Sequence, residues 1–534
     1  MKKLFKDRIF YETYPSSFCD SNGDGRGDIQ GIISKLDYIS NLGFDGLWVN
    51  PFYKSPMLDG GYDISNFFEI DERFGTMDDL KELIEECHKR DILLFLDLVP
   101  GHASIYNPDF LKSAEATKND KSDLFIWTDN VWHTYDNYRQ ISGFYDRFGC
   151  YIVNFFAHQP AINYGFAKKE YDWQMKWDDP KCPGKDYLVK IMNFYLDMGV
   201  DGFRVDMADS LVKGEDDKEC TIKLWNKMFD EVKKSHKEFY TTSEWSNPDR
   251  ALRAGFSSDF ILDHQDNCSH MLFRQKEDGY EPLLHQYNAK LYRNFTKNLL
   301  WHIESMQKYD GELSFISGNH DSFRIADFLN DEELRLAYLF IYTMPGVPYL
   351  FAGDELGQKT NRNLTSKEGG YQRTGTRIPM VFDNTENRGF SKCKDVSKLY
   401  LPIDNETVSV MEQLEDNLGY MEDFKPLNEE EYALIKKAVT AINSTITVPC
   451  TGCAYCVDGC PMNIAIPKYF SLYNADLQEV EEKGWTPQGE YYNNLTKRFG
   501  KASDCVECGQ CEGVCPQHLS IIQYLKDVAG HFEK

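Results

Sequence analysis

The sequence predicts an α/β fold in which eight parallel strands close into a barrel, followed by a separate cysteine-rich unit. Over roughly the first 355 residues, short apolar or β-branched runs alternate with helix-like patterns, as expected for a parallel sheet covered by helices. Eight such runs are most economically arranged as a closed (β/α)8 barrel, the TIM barrel. Beyond this region the chain becomes polar and glycine-rich, and eight of its 15 cysteines lie near the C-terminal end.

Each predicted strand is a short apolar run bounded by polar residues or turn signals. The stretch between the third and fourth strands, residues 103–168, is too long for a simple loop and is rich in aromatic residues. We therefore predict a small subdomain inserted after strand 3. The predicted strands are 8–14, 44–50, 92–99, 200–206, 239–245, 259–264, 313–319 and 347–351, and the clearest helices are 78–90, 187–198, 222–237 and 332–343.

The length of 534 residues exceeds what one ordinary hydrophobic core supports, so at least two domains are expected. The predicted domains are a barrel at 1–102 and 169–405, the inserted subdomain at 103–168, a junction with a helix (428–441) at 406–445, and a cysteine-rich α-helical domain at 446–534.

Composition excludes several classes of partner. The net charge of −26 argues against nucleic acid or an anionic membrane surface. No stretch approaches the apolar length of a membrane helix, and the first residues show no secretory signal. The odd, tightly clustered set of cysteines does not fit a secreted disulfide framework; it favours ligation of a metal or cluster in a reducing cytoplasm.

Three acidic residues follow predicted strands: Asp206 in GFRVDMA, Glu244 in TTSEWSNP and Asp321 in ISGNHDSFR. The carboxyl ends of barrel strands meet on one face, and two carboxylates across a sugar ring are the minimum for cleaving a glycosidic bond. Arg204 lies two residues before Asp206, so both side chains face the same side, and we expect its guanidinium to keep Asp206 ionised. Glu244 must instead carry a proton for the leaving oxygen. The simpler alternative is that the three acids cap helices.

Seven motifs follow one another in a fixed order: YETYPSSFCDSNGDGRGDIQGI, LDLVPGH, QPAINYGF, GFRVD, SEW, GNHD and GVPYLFAGDELG. Over roughly residues 5–405 this order resembles the α-amylase family of glycoside hydrolases, in particular its oligo-1,6-glucosidase-like members. The resemblance implies Asp206 as nucleophile, Glu244 as general acid/base and Asp321 as the acid that orients and stabilises the sugar. It implies a retaining hydrolase of α-glucosidic bonds in short oligosaccharides. Met207, after the nucleophile, matches neither usual residue, so the choice between α-1,4 and α-1,6 linkages stays open.

The resemblance also implies a set of residues around the reacting sugar. Imidazole and carboxylate groups suit sugar hydroxyls, which both donate and accept hydrogen bonds. We expect Arg377 to pair with Asp63 and block one end of the pocket, although an ordinary loop arginine is an alternative. The predicted substrate-binding residues are Tyr62, Asp63, His102, Arg204, His320 and Arg377.

An acidic loop after the first strand is a candidate cation site. Asp20, Asn22, Asp24 and Asp28 offer oxygen atoms at alternate positions separated by glycines, which suits calcium or magnesium. The twelfth position is Gly31 rather than glutamate, so the loop is not an EF-hand. In oligosaccharide-cleaving members of the family a similar loop binds calcium. The alternative is an ordinary turn before a helix.

The C-terminal cysteines form two copies of the bacterial ferredoxin run, CTGCAYCVDGCP and CVECGQCEGVCP. Each copy predicts one [4Fe–4S] cluster, with the fourth cysteine of each run serving the other cluster. Structural zinc is the alternative. The region resembles the ferredoxin-like extension of certain aldo/keto reductases, whose reductase barrel is not present here. The predicted ligand sets are Cys450, Cys453, Cys456 and Cys515 for one cluster, and Cys460, Cys505, Cys508 and Cys511 for the other.

Three alternatives to simple hydrolysis stay open. A transglycosylase or glucoside isomerase would use the same acids, because the sequence does not say whether water or a sugar hydroxyl attacks. An electron-transfer fusion with an unknown partner would use the barrel as a scaffold. A chimera with an impaired barrel is the third, since the last barrel helix and the β-sandwich usual in the family are replaced between residues 405 and 417. The expected partner in the main reading is a small oligosaccharide.

Overall fold

The computed structural model describes residues 4–264, 266–276, 279–369, 373–410, 436–437, 446–477 and 486–533. The chain divides into two compact units, Met1–Gly419 and Tyr420–Lys534. The first unit carries the strands of the barrel, and the second carries the eight clustered cysteines.

Eight parallel strands form the first unit's main sheet, and the predicted barrel is confirmed. Neighbouring strands pair in chain order, the eighth pairs with the first, and a parallel bridge between Ile316 and Tyr349 closes the ring. All eight overlap the predicted strands. They are β1 (Phe10–Thr13), β2 (Gly46–Val49), β3 (Leu93–Leu98), β4 (Gly202–Val205), β5 (Tyr240–Ser243), β6 (Ser258–Ile261), β7 (Glu312–Phe315) and β8 (Tyr349–Phe351).

The helices of the first unit begin where the sequence supplies caps. Thr76 and Asn330 each form a capping box with an acid three residues later, which satisfies backbone N–H groups that have no partner within the helix. All four predicted helices have a counterpart. The α-helices are Pro15–Phe18, Ile29–Ser34, Leu36–Asn41, Met77–Lys89, Pro108–Ser113, Pro183–Asp197, Glu219–Val232, Pro248–Arg253, Cys268–Phe273, Ala289–Lys308 and Asp331–Thr343.

Shorter elements complete the first unit. Its 3-10 helices are Phe5–Asp7, Ile325–Asp327, Asp354–Leu356, Arg373–Thr376, Glu386–Gly389 and Val396–Lys398, and its small antiparallel pairs are Tyr53–Lys54 with Asn66–Ile70 and Gln140–Ile141 with Tyr151–Ile152.

The segment inserted between β3 and β4 is built on aromatic packing. The Phe110 ring stacks on Trp127 with centroids 5.7 Å apart and meets Tyr151 edge-on at 5.2 Å. An antiparallel bridge joins His102, just past the end of β3, to Ala161. The bridge therefore connects the inserted segment to His102, which is itself a predicted substrate-binding residue.

Aromatic side chains fill the interior of the barrel. The Phe10 ring lies 4.6 Å from the rings of both Phe95 and Tyr349, and all three side chains are buried. Gly46 leaves room for this ring, because a Cβ atom at that position would lie 2.6 Å from it. Close packing around an aromatic ring of this kind makes the barrel sensitive to the loss of its volume.

The second unit is helical. Its α-helices are Tyr455–Asp458, Ile466–Leu477, Pro487–Leu495, Gln510–Gly513 and Ile521–Phe532, with a 3-10 helix at Ala502–Asp504. The predicted helix 428–441 lies outside the described residues except for the helical Lys436 and Lys437. Among the helices that the structure describes, none combines the length and apolar content needed to cross a bilayer.

The two cysteine runs repeat in conformation as well as in sequence. Positive φ angles occur at equivalent positions of the two copies: Gly452 and Glu507, Ala454 and Gly509, and Asn463 and His518. The residues at Ala454 and Gly509 each precede a short helix that carries the third cysteine of its run. The same backbone path therefore wraps around both sets of cysteines.

We predict that Phe10→Ala lowers the free energy of unfolding of the barrel by about 3–5 kcal/mol, because it leaves a cavity among packed rings. Denaturant unfolding followed by tryptophan fluorescence measures the change. Phe144→Ala is the matched control, since that side chain is 72% exposed. A Phe10→Ala variant with the same free energy of unfolding as Phe144→Ala would contradict this packing.

Candidate active site

One buried arginine lies between the ends of three consecutive barrel strands. Arg204 Nη1 lies 2.8 Å from Asp97 Oδ1 and 3.1 Å from Asp206 Oδ1. Arg204 Nη2 lies 2.7 Å from Glu244 Oε1. A single guanidinium reaches only groups a few ångströms apart, so the proposed nucleophile and acid/base are close neighbours. Retaining glycosidases require such proximity, with their carboxylates about 5 Å apart.

Asp97 is a site residue that the sequence analysis missed, because it lies in the apolar strand LLFLDL. Its Oδ2 atom accepts hydrogen bonds from Tyr62 OH at 2.8 Å and from Trp48 Nε1 at 3.1 Å. The rings of Trp48 and Tyr62 lie 5.1 and 5.6 Å from the Arg204 guanidinium carbon. Asp97 thus joins the predicted Tyr62 to the central arginine.

The protonation of Asp206 differs from the expectation drawn from Arg204 alone. Burial, followed by the negative charge of Glu244, raises the pKa of Asp206, and Arg204 only partly offsets this rise. The reason is that one guanidinium serves three closely spaced carboxyl groups. Repulsion between such close acids disfavours the ionised form of Asp206.

Backbone groups of Val205, in β4, and of Met207, in the loop after it, form hydrogen bonds with Glu244. The Met207 N–H donates to Glu244 Oε2 at 2.9 Å, and the Glu244 N–H donates to the Val205 carbonyl oxygen at 2.9 Å. Met207 has a φ of 41°, in the left-handed region that is unusual for a residue with a side chain. The turn after Asp206 therefore also fixes the carboxyl group of Glu244.

Asp321 lies among cations. Its Oδ1 atom is 2.7 Å from Arg377 Nη2 and 2.9 Å from Arg373 Nη1. Desolvation would raise the pKa of Asp321, but the neighbouring charges, which include the permanently charged Arg373 and Arg377, outweigh it and lower the pKa. Asp321 is therefore ionised at neutral pH, as a group that stabilises positive charge on a sugar ring must be.

The expected pair between Asp63 and Arg377 does not form, and this prediction is wrong. Asp63 accepts hydrogen bonds from Ser55 Oγ at 3.0 Å and from the N–H groups of Leu58 and Asp59 at 3.2 and 3.0 Å. Its side chain is buried in its own loop. Arg377 contacts Asp321 instead.

The acid of this loop that reaches the other site residues is Asp59. It forms an ion pair with Arg373, and Gln159 Nε2 donates to its Oδ2 atom at 2.6 Å. Its charge also contributes to raising the pKa of Asp206. Arg373 thus bridges Asp59 and Asp321. The sequence signal was the pair of acids in DGGYD, which spacing alone does not tell apart.

The two predicted histidines are buried and neutral. His102 Nε2 lies 3.2 Å from the Tyr62 carbonyl oxygen, and burial lowers the pKa of His102 to about 3. His320 stacks on the Tyr62 ring with centroids 5.1 Å apart, its Nδ1 atom is 2.8 Å from Glu12 Oε1, and burial lowers its pKa. A neutral imidazole offers one donor and one acceptor, the combination that a hydroxyl group needs.

A partly buried lysine, also missed from the sequence, joins the inserted segment to the loop after β4. Lys213 Nζ donates at 2.6 Å both to Asn154 Oδ1 and to the Ser210 carbonyl oxygen. Burial lowers the pKa of Lys213 to about 7. Asn154 Nδ2 in turn lies 3.4 Å from His102 Nδ1. The lysine therefore fastens the inserted segment beside a predicted substrate-binding residue.

The acidic loop after β1 is folded onto its own backbone. Asp20 Oδ1 accepts from the N–H groups of Asn22 at 3.1 Å and Gly23 at 2.7 Å. Asp28 caps the following helix by accepting from the Gly31 N–H at 2.6 Å, and Asp24 accepts from the Arg26 N–H. Within the described ranges, no group of three or more histidine, cysteine, aspartate or glutamate side chains is placed to hold a single metal ion. In the described structure these side chains accept hydrogen bonds from their own loop, and a calcium or magnesium ion at this loop stays a prediction from the sequence.

The eight clustered cysteines line two small cavities. Each cavity takes three cysteines from one run and the fourth from the other, which is the crossed arrangement that the sequence predicts. Four thiols around one cavity fit the ligand requirement of a [4Fe–4S] cluster. The first cavity is lined by Cys450, Cys453, Cys456 and Cys515, and the second by Cys460, Cys505, Cys508 and Cys511.

The barrel and the paired acids at its strand ends define a glycoside hydrolase. Residues 12–435 match the model of the alpha-amylase catalytic domain, and the chain belongs to the alpha-amylase family. Residues 449–520 match the model of the 4Fe-4S dicluster domain, so an iron–sulfur domain follows the hydrolase domain in the same chain.

Several named proteins resemble the chain. Glucan 1,6-alpha-glucosidase of Streptococcus pneumoniae is 31% identical over 73% of this chain and 77% of its own length. Oligo-1,6-glucosidase of Parageobacillus thermoglucosidasius is 30% identical over 72% of this chain and 76% of its own length. Among solved structures, trehalulose synthase MutB from Pseudomonas mesoacidophila MX-45 has a TM-score of 0.64 at 24% identity, covering 77% of this chain and 81% of that one. At this identity the structural likeness concerns the fold alone.

The buried Asp63 predicts a dependence of stability on pH. Burial raises the pKa of Asp63 to about 6, above the value of about 4 in an unfolded chain. The folded state therefore binds this proton more tightly, and stability falls as the pH rises through this interval. Relative to Asp63→Asn, the wild type should lose about 2 kcal/mol of unfolding free energy between about pH 4 and about pH 7.

Denaturant unfolding of both proteins at the two pH values measures this difference. Asp136→Asn, at an exposed position, is the control and should follow the wild type. A wild type that becomes more stable relative to Asp63→Asn as the pH rises would contradict the burial of this carboxyl group.

Proposed function

We propose that the chain hydrolyses α-glucosidic bonds of short oligosaccharides with retention of configuration, and that α-1,6 bonds are its first candidate substrates. The observation that carries this proposal is the contact of one guanidinium with both Asp206 and Glu244, beside an ionised Asp321. The names of the two glucosidase relatives support the choice of linkage.

In the proposed mechanism Asp206 attacks the anomeric carbon while Glu244 gives its proton to the leaving oxygen. A covalent glucosyl–Asp206 intermediate forms, and positive charge that develops on the ring is stabilised by Asp321. Glu244, now ionised, then removes a proton from a water molecule that attacks the anomeric carbon. Asp206 leaves, and two inversions give net retention.

The ion pairs of Arg373 support cleavage from a chain end. Arg373 contacts both Asp321 and Asp59, and Gln159 holds Asp59 in turn. Such a bridge beside the reacting sugar closes that side of the pocket to a further sugar unit. We therefore infer that the enzyme binds the terminal glucose of its substrate.

Hydrolysis is favoured over sugar transfer and isomerisation. The relatives at 30–31% identity bear glucosidase names, whereas the likeness to trehalulose synthase concerns the fold. Asp206, Glu244 and Asp321 would serve either reaction, so the preference for hydrolysis rests on these relatives.

We further propose one [4Fe–4S] cluster in each of the two cysteine-lined cavities. Hydrolysis uses no electrons, so the clusters are assigned no step in it, and an electron-transfer partner stays a prediction. Calcium or magnesium at Asp20, Asn22, Asp24 and Asp28 likewise stays a prediction from the sequence. All 15 cysteines are free, which suits the proposed reducing cytoplasm.

Asp206→Asn should lower kcat/KM for isomaltose, maltose and an aryl α-glucoside by at least about 10³-fold, because the amide cannot form the covalent intermediate. The full chain, purified anaerobically, is assayed with each sugar, and the anomer formed first is read by NMR. Asp209→Asn, three positions along the same loop, is the control and should keep its activity. An Asp206→Asn variant that retains turnover, or a wild type that releases the inverted anomer first, would contradict the mechanism.

Cys453→Ser should reduce the visible absorbance of the first cluster while leaving kcat/KM for the sugar unchanged, because the cysteine lies in the second unit. Cys220→Ser, outside both cavities, should change neither quantity. A parallel loss of hydrolysis in Cys453→Ser would show that the two units depend on one another.

A further inference from the structure

A second buried acid lies directly beneath the loop that carries Glu244, and the mechanism above does not use it. Asp259 belongs to β6, the neighbour of β5, and pairs in register with Ser243. Its side chain is buried. Ser243 is the last residue of β5 and Glu244 follows it, so Asp259 lies beside the point where β5 ends and the loop with Glu244 begins.

The Asp259 carboxyl group accepts hydrogen bonds from residues before and after Glu244 in the chain. Its Oδ1 atom accepts from Ser243 Oγ at 2.6 Å, from the Trp245 N–H at 3.3 Å and from the Ser246 N–H at 3.2 Å. Ser246 has a φ of 56°, so the turn it makes is one that residues with side chains rarely adopt. A single oxygen atom thus holds the residue before Glu244 and the two residues after it.

Asp259 is costly to bury, which indicates a specific role. Burial raises its pKa to about 7, against the hydrogen bonds from Ser243 and the backbone of the loop. Among the described residues its Oδ2 atom has no hydrogen-bond partner. A buried polar atom without a partner is destabilising, so an apolar residue at this place would suit the barrel core better.

We propose that Asp259 is a positioning residue for the general acid/base Glu244. The inference rests on the proposed function. Val205 and Met207 hold Glu244 from the β4 side, and Asp259 holds the backbone around it from the β6 side. Without Asp259 the loop is free to turn, and the Glu244 proton no longer meets the leaving oxygen at the required distance.

Substrates with different leaving groups test this role. A sugar leaving group, as in isomaltose, needs the proton of Glu244, whereas 4-nitrophenolate leaves without one. In Asp259→Ala, which removes the acceptor oxygen, kcat/KM should fall about 10²-fold for isomaltose and less than about 5-fold for 4-nitrophenyl α-glucoside. Azide, which needs no general base to attack the intermediate, should raise kcat for the nitrophenyl substrate in the variant and give glucosyl azide.

Two further variants keep the test decisive. Ser243→Ala removes the shortest bond to Asp259 and should show the same selective loss, about 5–10-fold for isomaltose. Glu355→Gln is the control, because that partly buried acid accepts from Tyr38 OH at 2.7 Å in the 3-10 helix that follows β8, away from Glu244. In Glu355→Gln, kcat/KM for isomaltose and for 4-nitrophenyl α-glucoside should change by the same factor.

An equal loss for both substrates in Asp259→Ala and Ser243→Ala, or no loss in either variant, would overturn the proposal and leave Asp259 a purely structural residue. If Asp259→Ala does not fold, Ser243→Ala alone decides between these outcomes. A wild type that cleaves neither substrate overturns the proposed function itself, and the inference with it, which is distinguishable from an active wild type whose variants lose both activities equally.

Discussion

The site depends on one constraint, that a single buried cation compensates three acids, two of which are themselves buried. Arg204 contacts Asp97, Asp206 and Glu244, which follow three neighbouring strands. Burying a carboxylate is expensive unless it is paired, so without Arg204 these strand ends would repel one another. The aromatic faces of Trp48 and Tyr62 shield the guanidinium. The catalytic face of the barrel is therefore assembled around this side chain.

Opposite charge environments separate the roles of the acids. Asp206 shares the Arg204 guanidinium with two other acids, and burial, followed by the negative charge of Glu244, raises the pKa of Asp206. Asp321 has two arginines within 3 Å and is ionised. Acids whose surroundings move their pKa values apart can divide proton donation from charge stabilisation. The ionic contacts, more than the identity of each acid, set this division.

The barrel could be predicted from sequence because each strand is an isolated apolar run, and the cysteine sets because their spacing is specific. Which acid of a loop faces the site was harder to predict. Asp59 and Asp63 lie on either side of the Gly60–Gly61 turn, and only the folded turn directs one of them to Arg373. Arg373 is distant in sequence from its partners. Asp97 lies in an apolar strand and gives no local signal, since its importance comes from contacts across strands.

The crossed sharing of cysteines between the two cavities also constrains when the iron–sulfur domain can be completed during synthesis. The second cavity lacks three of its four thiols until the second run has been translated, and the first lacks Cys515 until that run ends. A nascent chain that has left the ribosome only as far as Cys460 presents three thiols of one site and a single thiol of the other. Both sets of four thiols are thereby completed only after Cys515 has been synthesised, when the residues of the barrel are already present.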